Sequence, residues 1–210
     1  ANLTVINRNV NIKINTQNTH THGKLPISAV VRDDDGNLVK NGSVIVKING
    51  QTIRDEDGNA IKYKVVDGIV MGIYQLPNSM SARNYNITFV YSNKGYNRGE
   101  ETSTFTVEKT NVSNINITSI TVKPEQNTTI RAMVYDEYDM KLIGNTKIAV
   151  KVDGKTIIED TMYDGKLKIS FKSLTIGAHK LSIICGANSF YNEKRFTIPL
   201  IVNSKKGINS

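Results

Sequence analysis

The chain is dominated by short runs in which apolar and polar residues alternate. The runs 43–48, 85–91 and 196–202 each carry an apolar side chain at every second position. A period of two residues predicts half-buried β-strands. Segments such as DDDGN, VKNGS and YDGK bound these runs and are typical of turns. Because no stretch of the sequence keeps a helical period over three turns, we predict an all-β protein.

The two halves of the chain carry the same segments in the same order. ISAVVRD from Ile27 matches IRAMVYD from Ile130, and VIVKINGQTI from Val44 matches IAVKVDGKTI from Ile148. Further along, DGIVMGIYQL matches DGKLKISFKSL. The first half has extra residues around RDEDGNA, where an insertion at a turn costs little. This internal repeat indicates two copies of one module.

Each half predicts about seven strands, joined by connections too short for helical crossovers. Antiparallel strands with one apolar face bury that face by pairing two sheets, as in an immunoglobulin-like β-sandwich. We therefore predict two tandem immunoglobulin-like domains, 1–109 and 110–210. No Gly-rich or Pro-rich spacer separates them, which favours an extended, semi-rigid rod.

Composition and charge narrow the functional classes. The single cysteine, Cys185, excludes a disulfide within the chain, and its apolar surroundings predict a buried thiol. The net charge of +8 is divided between the halves as +3 and +5, without the dense basic stripe expected of a nucleic-acid protein. No run is long and apolar enough for membrane insertion. The start at Ala1 and the polar end lead us to expect a fragment of a longer secreted protein.

Two acidic turns are candidate metal sites. DDDGN and DEDGN space carboxylate and amide oxygens at alternate positions, as calcium loops do. The candidate ligands are Asp33, Asp35, Asn37, Asp55, Asp57 and Asn59. Neither segment is followed by the bidentate Glu of an EF-hand, and the same residues are what tight turns require. We expect turns here and no cofactor, with calcium as the alternative.

Six Asn-x-Ser/Thr sequences are candidate glycosylation sites in a secreted protein. They begin at Asn2, Asn41, Asn86, Asn111, Asn116 and Asn127. Lys123 and Asn203 lie on the predicted first and last strands of the second half, where surface proteins without disulfides sometimes form an isopeptide bond. We state both modifications as hypotheses.

Candidate catalytic groups are scarce. His20 and His22 would share one face of a strand, but a zinc site normally needs four ligands, so an exposed strand end is the better interpretation. No GxSxG or Cys/His signature predicts a nucleophile, and the carboxylates lie at turn tips. Sugar binding would use exposed aromatic rings. Tyr63 and Tyr138 are the candidates, on different halves, and Trp is absent from the sequence.

One stretch resembles a known family. The segments VKINGQTIRDEDGNAIKYKVVDGIVMGIYQLP, NYNITFVYSNKGYN and STFTVEK are similar to the immunoglobulin-like repeats of adhesin-like surface proteins of methanogenic archaea. The second half matches more loosely, with His179 where the family usually has Tyr. The resemblance implies secretion, tandem repetition and display on the cell surface, and it implies no catalytic residues.

We therefore expect a non-catalytic, extracellular adhesin module at the cell surface. As a tandem rod it would display, or itself mediate, binding to other cells or surface polymers. Its partner would be a protein or polysaccharide on another cell, and we expect the chain itself to be a monomer. The alternative is a carbohydrate-binding accessory module of a secreted enzyme.

Overall fold

The computed structural model describes residues 7–172 and 174–203, and in this part of the chain all regular structure is β-strand. The chain divides into two compact units, the first ending at Glu108 and the second beginning at Lys109. The predicted boundary lay one residue later. Within the described ranges no helix is available to cross a membrane.

The described residues of unit 1 form nine strands. They are β1 (Val10–Ile14), β2 (Thr19–His20), β3 (Lys24–Asp33), β4 (Asn41–Ile48), β5 (Gln51–Thr52), β6 (Lys62–Val66), β7 (Ile69–Gln75), β8 (Arg83–Ser92) and β9 (Gly99–Glu108). One layer consists of β1, β3 and β7, and the other of β4, β8, β9 and β2. Strand β6 pairs with both β7 and β4 and so joins the layers. The core between them includes the fully buried Val31, Val44, Val46, Val70 and Tyr91.

Unit 2 repeats this arrangement. Its strands are β10 (Thr110–Ile115), β11 (Ile120–Val122), β12 (Thr128–Asp136), β13 (Asn145–Val152), β14 (Lys155–Tyr163), β15 (Lys166–Phe171), β16 (Gly177–Cys185), β17 (Tyr191–Asn192) and β18 (Lys194–Val202). Strands β10, β12 and β15 form one layer, and β13, β16, β18 and β11 form the other. Strand β14 pairs with β13 and meets β15 at Tyr163. A separate core includes Val134, Val150, Ile169, Leu181 and Ile183.

The all-β, tandem immunoglobulin-like prediction is confirmed, but the expected strand pattern is too simple. The described residues of each unit form nine strands rather than about seven, and two strands in each unit are only two or three residues long. The first strand of each unit is split between the layers: β1 is antiparallel to β3, whereas β2 is parallel to β9. Strands β10 and β11 divide in the same way. The alternation of residues shows which positions are buried, but not which layer a strand joins.

Candidate interaction surface

The acidic segment after β3 forms a tight turn held by Asp33. Its Oδ1 accepts hydrogen bonds from the backbone N–H groups of Asp35 (3.1 Å) and Asn37 (2.8 Å). Its Oδ2 lies 3.0 Å from Arg8 Nη1, which is also 3.3 Å from Asp35 Oδ2. Burial raises the pKa of Asp33, but the hydrogen bonds from Asn37 and Arg8 outweigh it and lower this pKa below its ordinary value. A cationic side chain therefore already stands between the two carboxylates proposed to hold calcium.

The same turn occurs twice more. Asp55 Oδ1 accepts from Asn59 N–H at 2.8 Å, and Asp136 Oδ1 accepts from Tyr138 and Met140 N–H at 2.9 and 3.0 Å. Among the described residues, no group of three or more His, Cys, Asp or Glu side chains is placed to hold a metal ion. The three loops thus share the geometry of side-chain-capped turns, and calcium binding by the first two stays a prediction.

Other predicted positions are dispersed over the surface. His20 ends β2, whereas His22 lies in the following turn with φ of 62°, so the two do not share a strand face as predicted. Tyr138 is 52% exposed as expected. Tyr63, expected outside, is only 8% exposed, and burial raises its pKa to about 12. Its ring fills the space over Gly72, where any side chain would collide with it.

The sequence-predicted modification sites within the described residues lie at the surface. Asn2 is outside the described residues. The remaining sequon asparagines, Asn41, Asn86, Asn111, Asn116 and Asn127, are all exposed. Lys123 and Asn203 directly follow the paired residues Val122 and Val202 of the parallel strands β11 and β18, and both are exposed. The register therefore brings the proposed isopeptide partners to neighbouring strand ends, while their bonding and the use of the sequons remain hypotheses.

The most prominent surface feature that sequence reasoning missed is an apolar stripe on unit 1. Ile69, Met71 and Ile73 point outward from β7 with exposures of 41%, 75% and 65%, and Val66 at the end of β6 is 61% exposed. Val66 and Ile69 are directly paired across the β6–β7 hairpin. We call Val66, Ile69, Met71 and Ile73 the apolar stripe. The signal was present in the sequence, because IVMGIY is apolar on both faces of its strand.

Cross-strand pairing extends this stripe sideways. Strand β3 places Val30 beside Ile69 and Pro26 beside Ile73, and β1 places Lys13 beside Val30. Val30 and Pro26 are half-buried. Lys64, Val66, Ile69 and Met71 line a shallow depression of about 280 Å³. The stripe is therefore part of a continuous apolar surface with lysines at its border.

The outward-facing charged side chains on the strands that carry and flank the stripe are all cationic. The outward positions of β1, β3, β6 and β7 carry the cationic residues Lys13, Lys24, Arg32, Lys62 and Lys64. None of these outward strand positions in the described part of unit 1 is a carboxylate. The nearest carboxylates along the chain are the buried Asp33 at the end of β3 and the exposed Asp34, Asp35 and Asp67 in turns. Asp67 lies in the hairpin turn between Val66 and Ile69. The apolar stripe thus lies within a basic face.

Unit 2 lacks the stripe although it has the same fold. The repeat aligns Ile69, Met71 and Ile73 with Lys166, Lys168 and Ser170. The pairing of β15 with β12 matches that of β7 with β3, because Met133 pairs with Lys166 as Val30 pairs with Ile69. Polar residues at these positions are therefore compatible with the sandwich, and stability does not require the apolar side chains of unit 1.

A second, more polar concavity lies at one end of unit 1. It has a volume of about 520 Å³, and its lining includes Asn49, Arg54, Tyr74, Arg83 and Tyr85. The guanidinium of Arg83 lies 4.8 Å from the centre of the Tyr85 ring, and Tyr85 donates a hydrogen bond to the Ser81 carbonyl at 2.8 Å. The Tyr85 ring is therefore already covered by the Arg83 guanidinium. The Tyr74 ring is half-buried.

The strand order and the two separate cores define a class: a tandem pair of immunoglobulin-like β-sandwiches. No protein-family model and no curated protein sequence matches the chain. It is similar to the Clostridium thermocellum CbhA fibronectin(III)-like modules, at 15% identity over 91% of this chain and 93% of that one, with a TM-score of 0.33. Similarity to the titin domains Z1Z2 in complex with telethonin covers 97% and 100% at 12% identity, with a TM-score of 0.42.

A third similar structure is the tetra-tandem repeat in the extending region of a large adhesion protein. The similarity covers 93% of this chain and 49% of that one, at 13% identity and a TM-score of 0.46. Because identity and TM-score are low in all three cases, these likenesses contribute nothing to the assignment of function.

Proposed function

We propose that the chain is a non-catalytic adhesin module, located outside the cell at its surface, and that unit 1 binds a surface component of another cell. The observation that carries this proposal is the apolar stripe. Large apolar side chains exposed together on a soluble domain are a mark of interaction sites. Since unit 2 places lysine and serine at the matching positions, the stripe is not a by-product of the fold.

The lysines around the stripe disfavour self-association of the chain through this face, which supports a monomer. Two copies meeting through this face would bring their Lys13, Lys24 and Lys64 side chains together, and like charges facing each other at an interface are unfavourable. The proposed partner is therefore a different molecule, a protein or polysaccharide on another cell. The exposed sequon asparagines are compatible with a secreted location.

The test is adhesion of chain-coated beads to intact cells, both of the producing organism and of organisms that share its habitat. The matched variant combines Ile69→Lys, Met71→Lys and Ile73→Ser, which copies unit 2. We expect wild-type beads to retain cells of at least one kind and the variant to lose this retention. Failure of wild-type beads to retain any cells, or equal retention by the variant, contradicts the proposal.

The alternative, a carbohydrate-binding accessory module, is favoured by the concavity around Tyr74. Two guanidinium groups, from Arg54 and Arg83, and the amide of Asn49 contribute to its lining. Sugars bind through stacking on aromatic rings together with such hydrogen-bond donors. Binding of the chain to a glycan array, abolished by Tyr74→Ala and unaffected by the stripe variant, would favour this function over adhesion through the stripe.

A further inference from the structure

The arrangement of side chains in rows across the basic face determines which kind of molecule could bind it. Lys13, Val30, Ile69 and Val66 follow one another through directly paired strands β1, β3, β7 and β6. Ser28 and Met71 form the next row, and Pro26 and Ile73 the one after it. Successive rows on one face of a sheet are about 7 Å apart. The apolar surface is therefore three rows long, with a basic residue in the first row.

The chemistry of this face distinguishes between four classes of binding partner. A second copy would bring the same cations into contact. A polysaccharide would not use the stripe, because saccharide stacking needs aromatic rings and the stripe consists of aliphatic and thioether side chains. A membrane surface is usually anchored by aromatic and leucine side chains, whereas here the apolar residues lie on a sheet face between lysines rather than at a loop tip. A protein surface offers apolar contacts and carboxylates together.

We infer that the apolar stripe of unit 1 binds an acidic protein surface whose centre is apolar and whose border carries Asp or Glu. This inference names the partner class for the proposed adhesive surface, and so it rests on the proposed function. The apolar centre would bury Met71 and Ile73, the most exposed members of the stripe. The acidic border would meet Lys64, which lines the depression, and Lys13, which lies beside Val30 and so one strand beyond the neighbour of Ile69. Complementary charge would speed association and select the partner.

The experiment uses the whole chain and a designed amphipathic peptide with leucine on one face and glutamate along its edges. Two matched peptides change one property each: leucine to serine, which keeps only the charge, and glutamate to lysine, which keeps only the apolar face. Binding is followed by fluorescence anisotropy at low and at physiological salt. We expect the acidic apolar peptide to bind at least about tenfold more tightly than either control.

Three protein variants locate the binding. The stripe variant (Ile69→Lys, Met71→Lys, Ile73→Ser) and the charge variant (Lys13→Glu, Lys64→Glu) should each weaken binding about tenfold or more. Adding Lys166→Ile, Lys168→Met and Ser170→Ile to the stripe variant tests whether a transplanted stripe on unit 2 restores part of the affinity. Circular dichroism and thermal unfolding verify that every variant is folded. If the stripe variant is misfolded, Met71→Lys alone replaces it.

The inference is overturned if all three peptides bind equally, if the stripe variant keeps its affinity, or if vesicles of phosphatidylcholine and phosphatidylserine bind more tightly than the peptide. Cell adhesion is measured in parallel so that the two proposals fail separately. Adhesion lost in the stripe variant without any peptide preference refutes the acidic partner and leaves the adhesive function. Peptide preference with adhesion unchanged refutes the function assigned to the stripe.

Discussion

The hydroxyl oxygen of Tyr191 accepts a hydrogen bond of 2.9 Å from the backbone N–H of Ile143. In unit 1 a different tyrosine bonds a different backbone group: Tyr91 donates from its hydroxyl to the Asn41 carbonyl at 2.8 Å. Tyr91 and Cys185 occupy equivalent places, since they pair with Val44 and Ile148 respectively. The two repeats therefore differ at one buried position, which is a tyrosine in unit 1 and a cysteine in unit 2, and the fully buried Tyr191 of unit 2 comes from another strand.

This difference predicts unequal costs for removing the two hydroxyls. Tyr191→Phe leaves the Ile143 N–H without its partner, which should destabilise unit 2 by about 1–2 kcal/mol. Tyr91→Phe should cost clearly less, because the Asn41 carbonyl also accepts from Asn93 Nδ2 at 3.1 Å. Calorimetric unfolding of the whole chain measures both variants. Equal losses, or a larger loss for Tyr91→Phe, would show that the hydrogen-bond argument is wrong.

A pH dependence is expected from unit 2, where His179 Nδ1 lies 2.6 Å from Asp153 Oδ2. The hydrogen bonds that His179 donates to the Asp153 carboxylate and to the Thr175 carbonyl raise the pKa of His179, and the bonds that Asp153 accepts from the Lys180 N–H and from His179 lower the pKa of Asp153. A raised histidine pKa contributes stability that is complete below about pH 6.5 and is lost as the pH rises through the folded-state pKa. The lowered carboxyl pKa contributes stability that is lost only in acid, below about pH 4.

The melting temperature of unit 2 should therefore fall between about pH 6 and pH 8, where histidine deprotonates. Asp153→Asn is the matched variant, because Asn49 holds the equivalent place and its Oδ1 accepts from Asn86 N–H at 2.9 Å, as Asp153 accepts from Lys180 N–H at 2.8 Å. This variant keeps the backbone bond and removes the charge, so its melting temperature should change less over the same interval. A wild-type profile as flat as that of the variant would contradict the prediction.

The position of Arg8 in the Asp33 turn predicts that calcium stabilises an Arg8 variant more than it stabilises the wild-type chain. Arg8 Nη1 lies within 3.3 Å of both Asp33 and Asp35 carboxylates, and a divalent cation would have to displace it. We expect millimolar calcium to leave the melting temperature of the wild-type chain unchanged and to raise that of Arg8→Gln. Scanning calorimetry with and without chelator is the measurement. A saturable, calcium-dependent rise for the wild type would instead support the metal site.

At the turn that follows Asp55 in unit 1, the effect of a left-handed backbone conformation on the free energy of unfolding can be measured without a steric clash. Gly58 has φ of 83°, and a side chain built there would meet no atom within 4 Å. Gly58→Ala should therefore destabilise unit 1 by about 1 kcal/mol through strain alone. Gly58→Asn should cost less, since Asn tolerates this conformation and the non-glycine residue Asp139 adopts φ of 58° at the same position of the similar turn that follows Asp136. Urea unfolding compares the two, and equal costs would indicate a steric cause.

Sequence reasoning could place the candidate binding surface only in part. The repeat aligned Ile69, Met71 and Ile73 with Lys166, Lys168 and Ser170, but residues 69–74 are apolar on both faces of the strand, so alternation did not single out the exposed set. The structure buries Val70 and exposes Ile69, Met71 and Ile73. What the pattern could not supply was their neighbours, because Val30 and Lys13 reach the stripe through pairing between distant segments.

The sequence by itself determined that this protein is all-β and built of two similar modules, because alternation, turn residues and the internal repeat are local properties of the chain. The tertiary structure alone decided that β2 crosses to pair with β9, that Tyr63 lies inside over Gly72, and that five cations lie on the strands around one apolar stripe. These outcomes depend on which strands become neighbours. Register between residues far apart in sequence follows from the packing of a whole core, and a single strand does not encode it.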